Sequence, residues 1–205
     1  TLWQAILLGL TQGLAEFLPV SSSGHLVLMR EIFGIKGEYL MFDVMLHVGT
    51  LFAVFITFFK DLIALFKPPF KTIGLIIVAT VPAVVVGLLA GDYIENLFSS
   101  GKYLCFFFLF TALLMFLTEI IAKRTRETKP LGLKAAIAMG LMQGVGVFPG
   151  ISRSGSTIFG GVAAKAEREE AAKFSFFMSI PVILGSAVLE LFKADFAAVN
   201  WLNVC

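Results

Sequence analysis

Charge is scarce in this sequence. Only 15% of its 205 residues are Asp, Glu, Lys or Arg, 58% are hydrophobic, and the mean hydropathy is +0.92, far outside the soluble range. That scarcity excludes an ordinary soluble domain, whose helices would need polar faces at helical spacing. A net charge of only +2, with no Lys/Arg-rich run interleaved with aromatics, excludes a nucleic-acid groove. Cysteine is nearly missing: Cys105, in an apolar run, and Cys205 offer neither metal-ligand spacing nor an evident disulfide. No basic segment precedes the first apolar stretch, which Gln12 and Glu16 interrupt, so it does not read as a signal peptide.

What the sequence has instead is apolar runs of membrane length. Thr72–Gly91 carries no charge over 20 residues, and Tyr103–Thr118 is uncharged with apolar continuation at Ile120–Ala122. Val44–Phe59 and Phe174–Leu189 read the same way. Spans are therefore expected at about 42–60, 72–91, 103–122 and 174–192.

An internal repeat organises the chain. At an offset of 131, residues 5–24 (AILLGLTQGLAEFLPVSSSG) fall without a gap on residues 136–155 (AIAMGLMQGVGVFPGISRSG), with ten identities in twenty positions. A second echo, shifted by one, places Phe42 on Phe174. Each unit opens with an apolar helix too short or too interrupted to span, followed by a Pro/Gly/Ser break and another short helix. Such breaks in matching positions of two halves mark re-entrant helices around a buried site. The reading is a first repeat at 1–131, with a re-entrant hairpin at 1–34, and a second, shortened repeat at 132–205, with a hairpin at 132–164.

Loop charges set the orientation. Lys60, Lys67 and Lys71 stand against Asp61 in the first loop; Asp92 and Glu95 against Lys102 in the second; five basic residues against Glu127 between Lys123 and Lys134 in the third. That alternation places the first and third loops in the cytoplasm. Three spans between the repeat starts then make the repeats inverted, and the hairpin tips, 17–24 and 148–155, meet inside the bilayer. The fold class expected is all-α integral membrane, with inverted-topology repeats that each begin with a re-entrant helical hairpin. Counterparts of the spans at 72–91 and 103–122 would begin near residue 204, so either two further helices follow or another copy, in a homodimer, completes the fold.

Polar groups in apolar segments cost a few kcal/mol each, and here they concentrate at the tips. The first tip has Gln12, Glu16, Ser21, Ser22, Ser23 and His25; the second has Gln143, Ser152, Arg153, Ser154, Ser156 and Thr157. Taken singly, the serines read equally well as small helix-packing residues. Arg153 does not, because a fixed cation at that depth needs an anion. Helices opening at about Ser22 and Arg153 aim their free N–H groups at the shared centre, a site suited to phosphate, and Arg153 adds a two-pronged clamp. Glu16, with Gln12 one turn before it, could hold a divalent ion that bridges a pyrophosphate. His25, three residues after Ser22, faces the same way and suits either a hydroxyl nucleophile with an imidazole base or the reverse. Asp43 and His47, at i and i+4 on the first span, read first as supporting hydrogen-bond residues, with direct ligand contact as the alternative, and Pro82 and Pro181 as kinks or freed carbonyls within spans.

At these residues the sequence resembles the undecaprenyl-pyrophosphate phosphatase family, also called bacitracin-resistance proteins. The matching stretches are QGLAEFLPVSSSGHL at 12–26, FDVMLHVGTLFAV at 42–54, TVPAVVVGLL at 80–89, PGISRSGSTI at 149–158 and FSFFMSIPVILG at 174–185. The resemblance implies hydrolysis of undecaprenyl pyrophosphate to the monophosphate at the outer face of the bacterial inner membrane, recycling a cell-wall lipid carrier with the help of Mg²⁺ or Ca²⁺. It places the family's acidic motif on Gln12 and Glu16, its Ser/His motif on Ser22 and His25, and its phosphate-binding motif on Ser152, Arg153 and Thr157, with Ser154 beside them. The partners expected are the polyprenyl pyrophosphate lipid and the surrounding membrane lipids. A transporter or flippase of polyprenyl phosphates, using the same anion site, is the competing reading.

Overall fold

The structure is a computed structural model that describes residues 1–35 and 40–193. Among these the chain is all helical: α1 (Leu2–Phe17), α2 (Ser22–Phe33), α3 (Leu40–Thr57), α4 (Phe59–Leu65), α5 (Lys71–Ser100), α6 (Leu104–Arg124), α7 (Leu133–Val145), α8 (Arg153–Ala163) and α9 (Arg168–Lys193). Residues 194–205 of the expected second repeat, Cys205 included, lie outside the described residues.

Helix length separates two kinds of element. At 1.5 Å per residue, α5, α6 and α9 reach about 45, 32 and 39 Å, enough for a hydrocarbon core of about 30 Å. All three are apolar enough to cross, and α3 with α4 makes a fourth span if the pair, bent by 84° at Phe58, is taken as one. Only 11% of the apolar window of α5 is buried within the protein, so its remaining surface must face lipid. By contrast, α1 and α7 reach only about 24 and 20 Å, and α2 and α8 are shorter still.

Local chemistry sets the ends. The Thr1 and Gln4 side chains form a capping box that opens α1, and Pro19 forces Leu18 into extended backbone, which closes it. Gly34 and Gly101 close α2 and α5 in the left-handed conformation. Lys123 and Arg124 occupy the last turn of α6, and Glu169 and Glu170 the first turn of α9, each complementing the helix dipole. One expectation changes here. The sequence places a loop at 92–102, but α5 continues through Ser100 because Ile94 and Leu97 are buried, leaving only a short turn at Gly101–Tyr103.

Small residues let the helices close in. A Cβ on Gly140 of α7 would lie 2.8 Å from the Ala79 backbone of α5, and beside it the Gln143 amide donates to the Ala79 carbonyl at 3.1 Å. Around this contact α5, α7 and α9 bury Leu75, Ala79, Ala136, Met139, Phe174 and Met178. At one end of the bundle, Lys173 of α9 meets Asp61 of α4 at 2.7 Å, Arg168 meets Glu119 of α6 at 2.9 Å, and the Leu131 amide donates to Glu170. The first and third loops and the start of α9 therefore share one face.

The hairpin tips meet inside the bundle. A Cβ on Gly24 would lie 2.7 Å from the Gly150 Cα and 2.8 Å from the Phe108 ring. Gly150 takes φ +88°, which disfavours any side chain, and the same backbone is clamped by Thr111 of α6. The Thr111 hydroxyl donates to the Gly150 carbonyl and accepts from the Ser152 amide, both at 3.0 Å. Thr111 lies seven residues, about 10 Å, from the Leu104 end of α6 and about 20 Å from the Arg124 end. The second tip, held by Thr111, therefore lies nearer the Leu104 end of α6 than the Arg124 end.

Candidate functional site

Both tips are built by one hydrogen-bond pattern. Ser21 caps α2 by accepting from the Gly24 amide at 3.3 Å, and its hydroxyl pairs with Ser23 at 3.3 Å. Ser152 caps α8 by accepting from the Gly155 amide at 3.0 Å, and its hydroxyl pairs with Ser154 at 3.2 Å. These residues are the ones the 131-residue offset superimposes. Helices α2 and α8 consequently begin at Ser22 and Arg153, with first-turn amides that have no carbonyl a turn earlier to bond. Ser21 differs in its φ of +68°, a strained backbone for a serine that its cap and the pairing with Ser23 help to hold.

The two tips are joined at the carboxylate of Glu16, whose side chain is 10% exposed. Arg153 donates to Oε1 through Nη2. On the other oxygen, Oε2, the Ser22 hydroxyl donates at 2.5 Å and the Gln12 amide at 3.1 Å. His47 Nε2 stands 3.6 Å from the same oxygen. Four side chains from α1, α2, α3 and α8 therefore surround one buried carboxylate. An arginine on one side neutralises it, and a hydroxyl on the other is positioned to lose its proton to it.

Not every residue singled out by sequence arrives there. The structure brings Gln12, Glu16, Ser22 and Arg153 together. His25 turns elsewhere: its Nδ1 lies 2.7 Å from the Ser21 carbonyl, and its ring packs edge-on against Phe108. Thr157 is fully buried, its hydroxyl 2.6 Å from that of Ser175 on α9 and 3.0 Å from the Arg153 and Ser154 carbonyls. Ser152 and Ser154 stay at the α8 N-terminus with their hydroxyls paired to each other.

Three further side chains shape the site. His47, expected in a supporting role or in direct ligand contact, faces Glu16. Arg30 of α2 pairs with Asp43 of α3, both nearly buried, and so ties the helix that carries His47 to the first hairpin. Thr111 holds the second tip. The available signals were a lone hydroxyl in an otherwise apolar run for Thr111, and one cation facing one acid in adjacent apolar segments for Arg30 and Asp43.

A divalent cation fits this donor set in a limited way. Among the described residues no three His, Cys, Asp or Glu side chains gather as a metal site. Glu16 nonetheless offers a hard carboxylate, and the buried Gln12 Oε1 has no hydrogen-bond partner. Magnesium is commonly held by one or two carboxylates with water and substrate phosphate completing its shell, so Glu16 with Gln12 would be the residues to hold it.

Comparison with known proteins follows the same lines. Residues 5–204 match the family described as Bacitracin resistance protein BacA. The chain is 46% identical over 190 residues to an undecaprenyl-diphosphatase of Carboxydothermus hydrogenoformans, covering 92% of this chain and 73% of that protein. It is 40% identical over 209 residues to an undecaprenyl-diphosphatase of Halothermothrix orenii, covering 99% and 81%. A third protein of that name, from Desulforapulum autotrophicum, is 41% identical over 218 residues, covering 96% and 79%.

Proposed function

The chain belongs to the bacitracin resistance protein family, and on that footing we propose that it hydrolyses undecaprenyl pyrophosphate to undecaprenyl phosphate at the Glu16 cluster. One observation carries the reading: a single buried carboxylate bonds a serine hydroxyl through one oxygen and an arginine through the other.

In the proposed reaction the pyrophosphate enters between the N-termini of α2 and α8. Arg153 and the first-turn amides of α8 take the phosphate oxygens and stabilise the charge that builds on them. Glu16 accepts the Ser22 proton as Oγ attacks the terminal phosphorus. The Oγ–P bond forms, the bridging P–O bond breaks, and the lipid monophosphate leaves with the electron pair. Glu16 passes the proton it took from Ser22 to the departing monophosphate. Water then attacks the phosphoserine with Glu16 taking one of its protons, which it returns to Ser22 Oγ as the Oγ–P bond breaks. Inorganic phosphate leaves, and Ser22 recovers its hydroxyl. A divalent cation held by Glu16 and Gln12 would neutralise the pyrophosphate charge and favour departure of the leaving group. His25, packed on Phe108, shapes the wall behind Ser22 in this scheme.

The lipid tail leaves the site between helices into the membrane, as the lipid-facing apolar surface of the spans allows. We further propose that the site opens to the outer face of the bacterial inner membrane. The basic loops collect at one end of the bundle, and the tips lie nearer the Leu104 end, away from them. Release there serves the recycling of a lipid carrier for cell-wall synthesis.

The test is phosphate release from a polyprenyl pyrophosphate by the purified chain in detergent. Divalent-dependent release that is lost in Ser22→Ala and Arg153→Ala, with the helical circular dichroism intact, is expected. A wild-type protein that binds the lipid pyrophosphate and releases no phosphate would overturn the enzyme reading in favour of a carrier, which needs no hydroxyl held on a carboxylate.

A further inference from the structure

The segment between the first two spans leaves the bundle axis. Helix α3, 18 residues long, rises about 27 Å and so covers most of a hydrocarbon core by itself. Beyond Phe58 the chain turns by 84°, and the seven residues of α4 add only about 1 Å along the α3 axis. Helix α4 therefore runs across the end of the span that precedes it, and α5 starts the next crossing at Lys71.

Contacts with α9 fix that turn. The Phe58 ring stacks on Phe176 with 5.7 Å between centroids and meets Phe177 edge-on at 5.6 Å. Three residues on, Asp61 pairs with Lys173 at 2.7 Å, and Leu62 is buried. With those positions committed to the protein, helical spacing sets the rest of α4. Phe59, Ile63 and Phe66 fall within about 60° of one another around the axis. They are 61%, 47% and 74% exposed. Lys60 lies about 100° round from Phe59, and Lys67 and Lys71 follow the helix; all three are exposed. Among the described residues none of these lysines pairs with an acid, and Asp61 beside them is taken by Lys173.

We propose that α4 lies in the bilayer surface at the basic end of the bundle, with Phe59, Ile63 and Phe66 among the acyl chains and Lys60, Lys67 and Lys71 on anionic phospholipid headgroups. Two observations select this occupant. A helix set across the end of a span sits at the depth where acyl chains meet headgroups, and there an apolar face is covered by lipid while a cationic flank stays wet. The unpaired lysines beside that face complement an anionic headgroup. A second copy docked through the same face would bring its own lysines against them, which like-charge repulsion disfavours. This surface is remote from the Glu16 cluster and does not depend on the reaction carried out there.

The experiment places a bimane probe on the full chain at Ile63→Cys or Ala64→Cys, in a background of Cys105→Ser and Cys205→Ser. The protein is reconstituted into vesicles of equal parts phosphatidylcholine and phosphatidylglycerol. Both positions are exposed, but Ala64 lies about 100° round from Ile63, one turn after Lys60. Lipid brominated in its acyl chains is expected to quench the probe at Ile63→Cys more than that at Ala64→Cys, and aqueous iodide the reverse. With one lipid brominated at a time, phosphatidylglycerol should quench the probe at Ile63→Cys about twofold or more better than phosphatidylcholine. The two should become equal when Lys60→Gln, Lys67→Gln and Lys71→Gln are combined. Iodide reaching both probes alike would put α4 in water, and a probe at Ile63→Cys sheltered from both quenchers would put a protein on that face; either result overturns the proposal. Equal quenching by the two lipids with the lysines present overturns the anionic headgroup, and that measurement needs no lysine variant to fold. A preference that survives the triple variant overturns the role of the lysines.

Discussion

Arg153, the first residue of α8, is hydrogen-bonded to Glu16 in the last turn of α1, 137 residues earlier in the chain. Their meeting makes one ion pair serve two purposes. It balances a carboxylate and a guanidinium that apolar surroundings would otherwise tolerate poorly, and it registers one hairpin tip on the other. A phosphate arriving at the site meets an arginine already oriented, with further N–H groups to offer beyond the one on Glu16.

Removing one partner should therefore cost more than removing both. Arg153→Ala leaves Glu16 as an uncompensated buried charge, a loss of about 3–5 kcal/mol in comparable pairs. Arg153→Ala combined with Glu16→Gln should regain a good part of that, measured as unfolding in mixed detergent micelles. Arg153→Lys keeps the charge but not the planar fork, so it should fold near wild type and still lose most phosphate release.

Thr111 offers a cleaner separation of fold from site. Thr111→Val preserves shape and deletes the hydroxyl that serves Gly150 and Ser152, orphaning two buried groups at about 1–3 kcal/mol each. Because these groups hold the turn that presents Arg153, phosphate release should fall more than stability alone explains. Thr111→Ser, with the hydroxyl restored, should recover both. Equal stability and turnover in the valine variant would show that the clamp does not position the tip.

The membrane class, the spans and the two tips were legible in the sequence because hydropathy and the 131-residue offset are properties of the chain alone. Gln12, Glu16, Ser22 and Arg153 were legible for the same reason: polar groups placed where burial penalises them. Which of His25 and His47 faces Glu16 was not legible. Both sit in motif-bearing segments, and only the relative placement of α2 and α3, which the Arg30–Asp43 pair links, decides which imidazole faces Glu16. The contact of Thr157 with Ser175 on α9 was not legible either, since a hydroxyl one turn into α8 can face a ligand or a neighbouring helix. The loop expected at 92–102 failed because the apolar run ends before the helix does; the burial of Ile94 and Leu97 carries α5 onward.

Glycine substitutions should report how closely the tips approach. Gly24→Ala drives a methyl into the Gly150 backbone and the Phe108 ring, and should destabilise by about 1–3 kcal/mol while lowering phosphate release. Gly87→Ala, on an exposed stretch of α5 with nothing within 4 Å of the new methyl, should be neutral or stabilising by up to about 1 kcal/mol. Thermal unfolding in detergent distinguishes the two, and similar behaviour at both positions would mean that the tips are not packed as described.

Orientation can be read with single cysteines in a background of Cys105→Ser and Cys205→Ser. Lys67→Cys and Arg126→Cys lie in the loops that the Asp61–Lys173 and Glu119–Arg168 pairs gather at one end, and Lys102→Cys lies in the short turn at the other. A membrane-impermeant maleimide added to intact spheroplasts should label Lys102→Cys alone, and added to inverted vesicles should label the other two. The reverse pattern would turn the molecule over and place the tips, which lie about 10 Å from the Leu104 end of α6, closer to the cytoplasm. The proposed opening to the outer face would then be wrong, while the chemistry argued from Glu16, Ser22 and Arg153 would be unaffected.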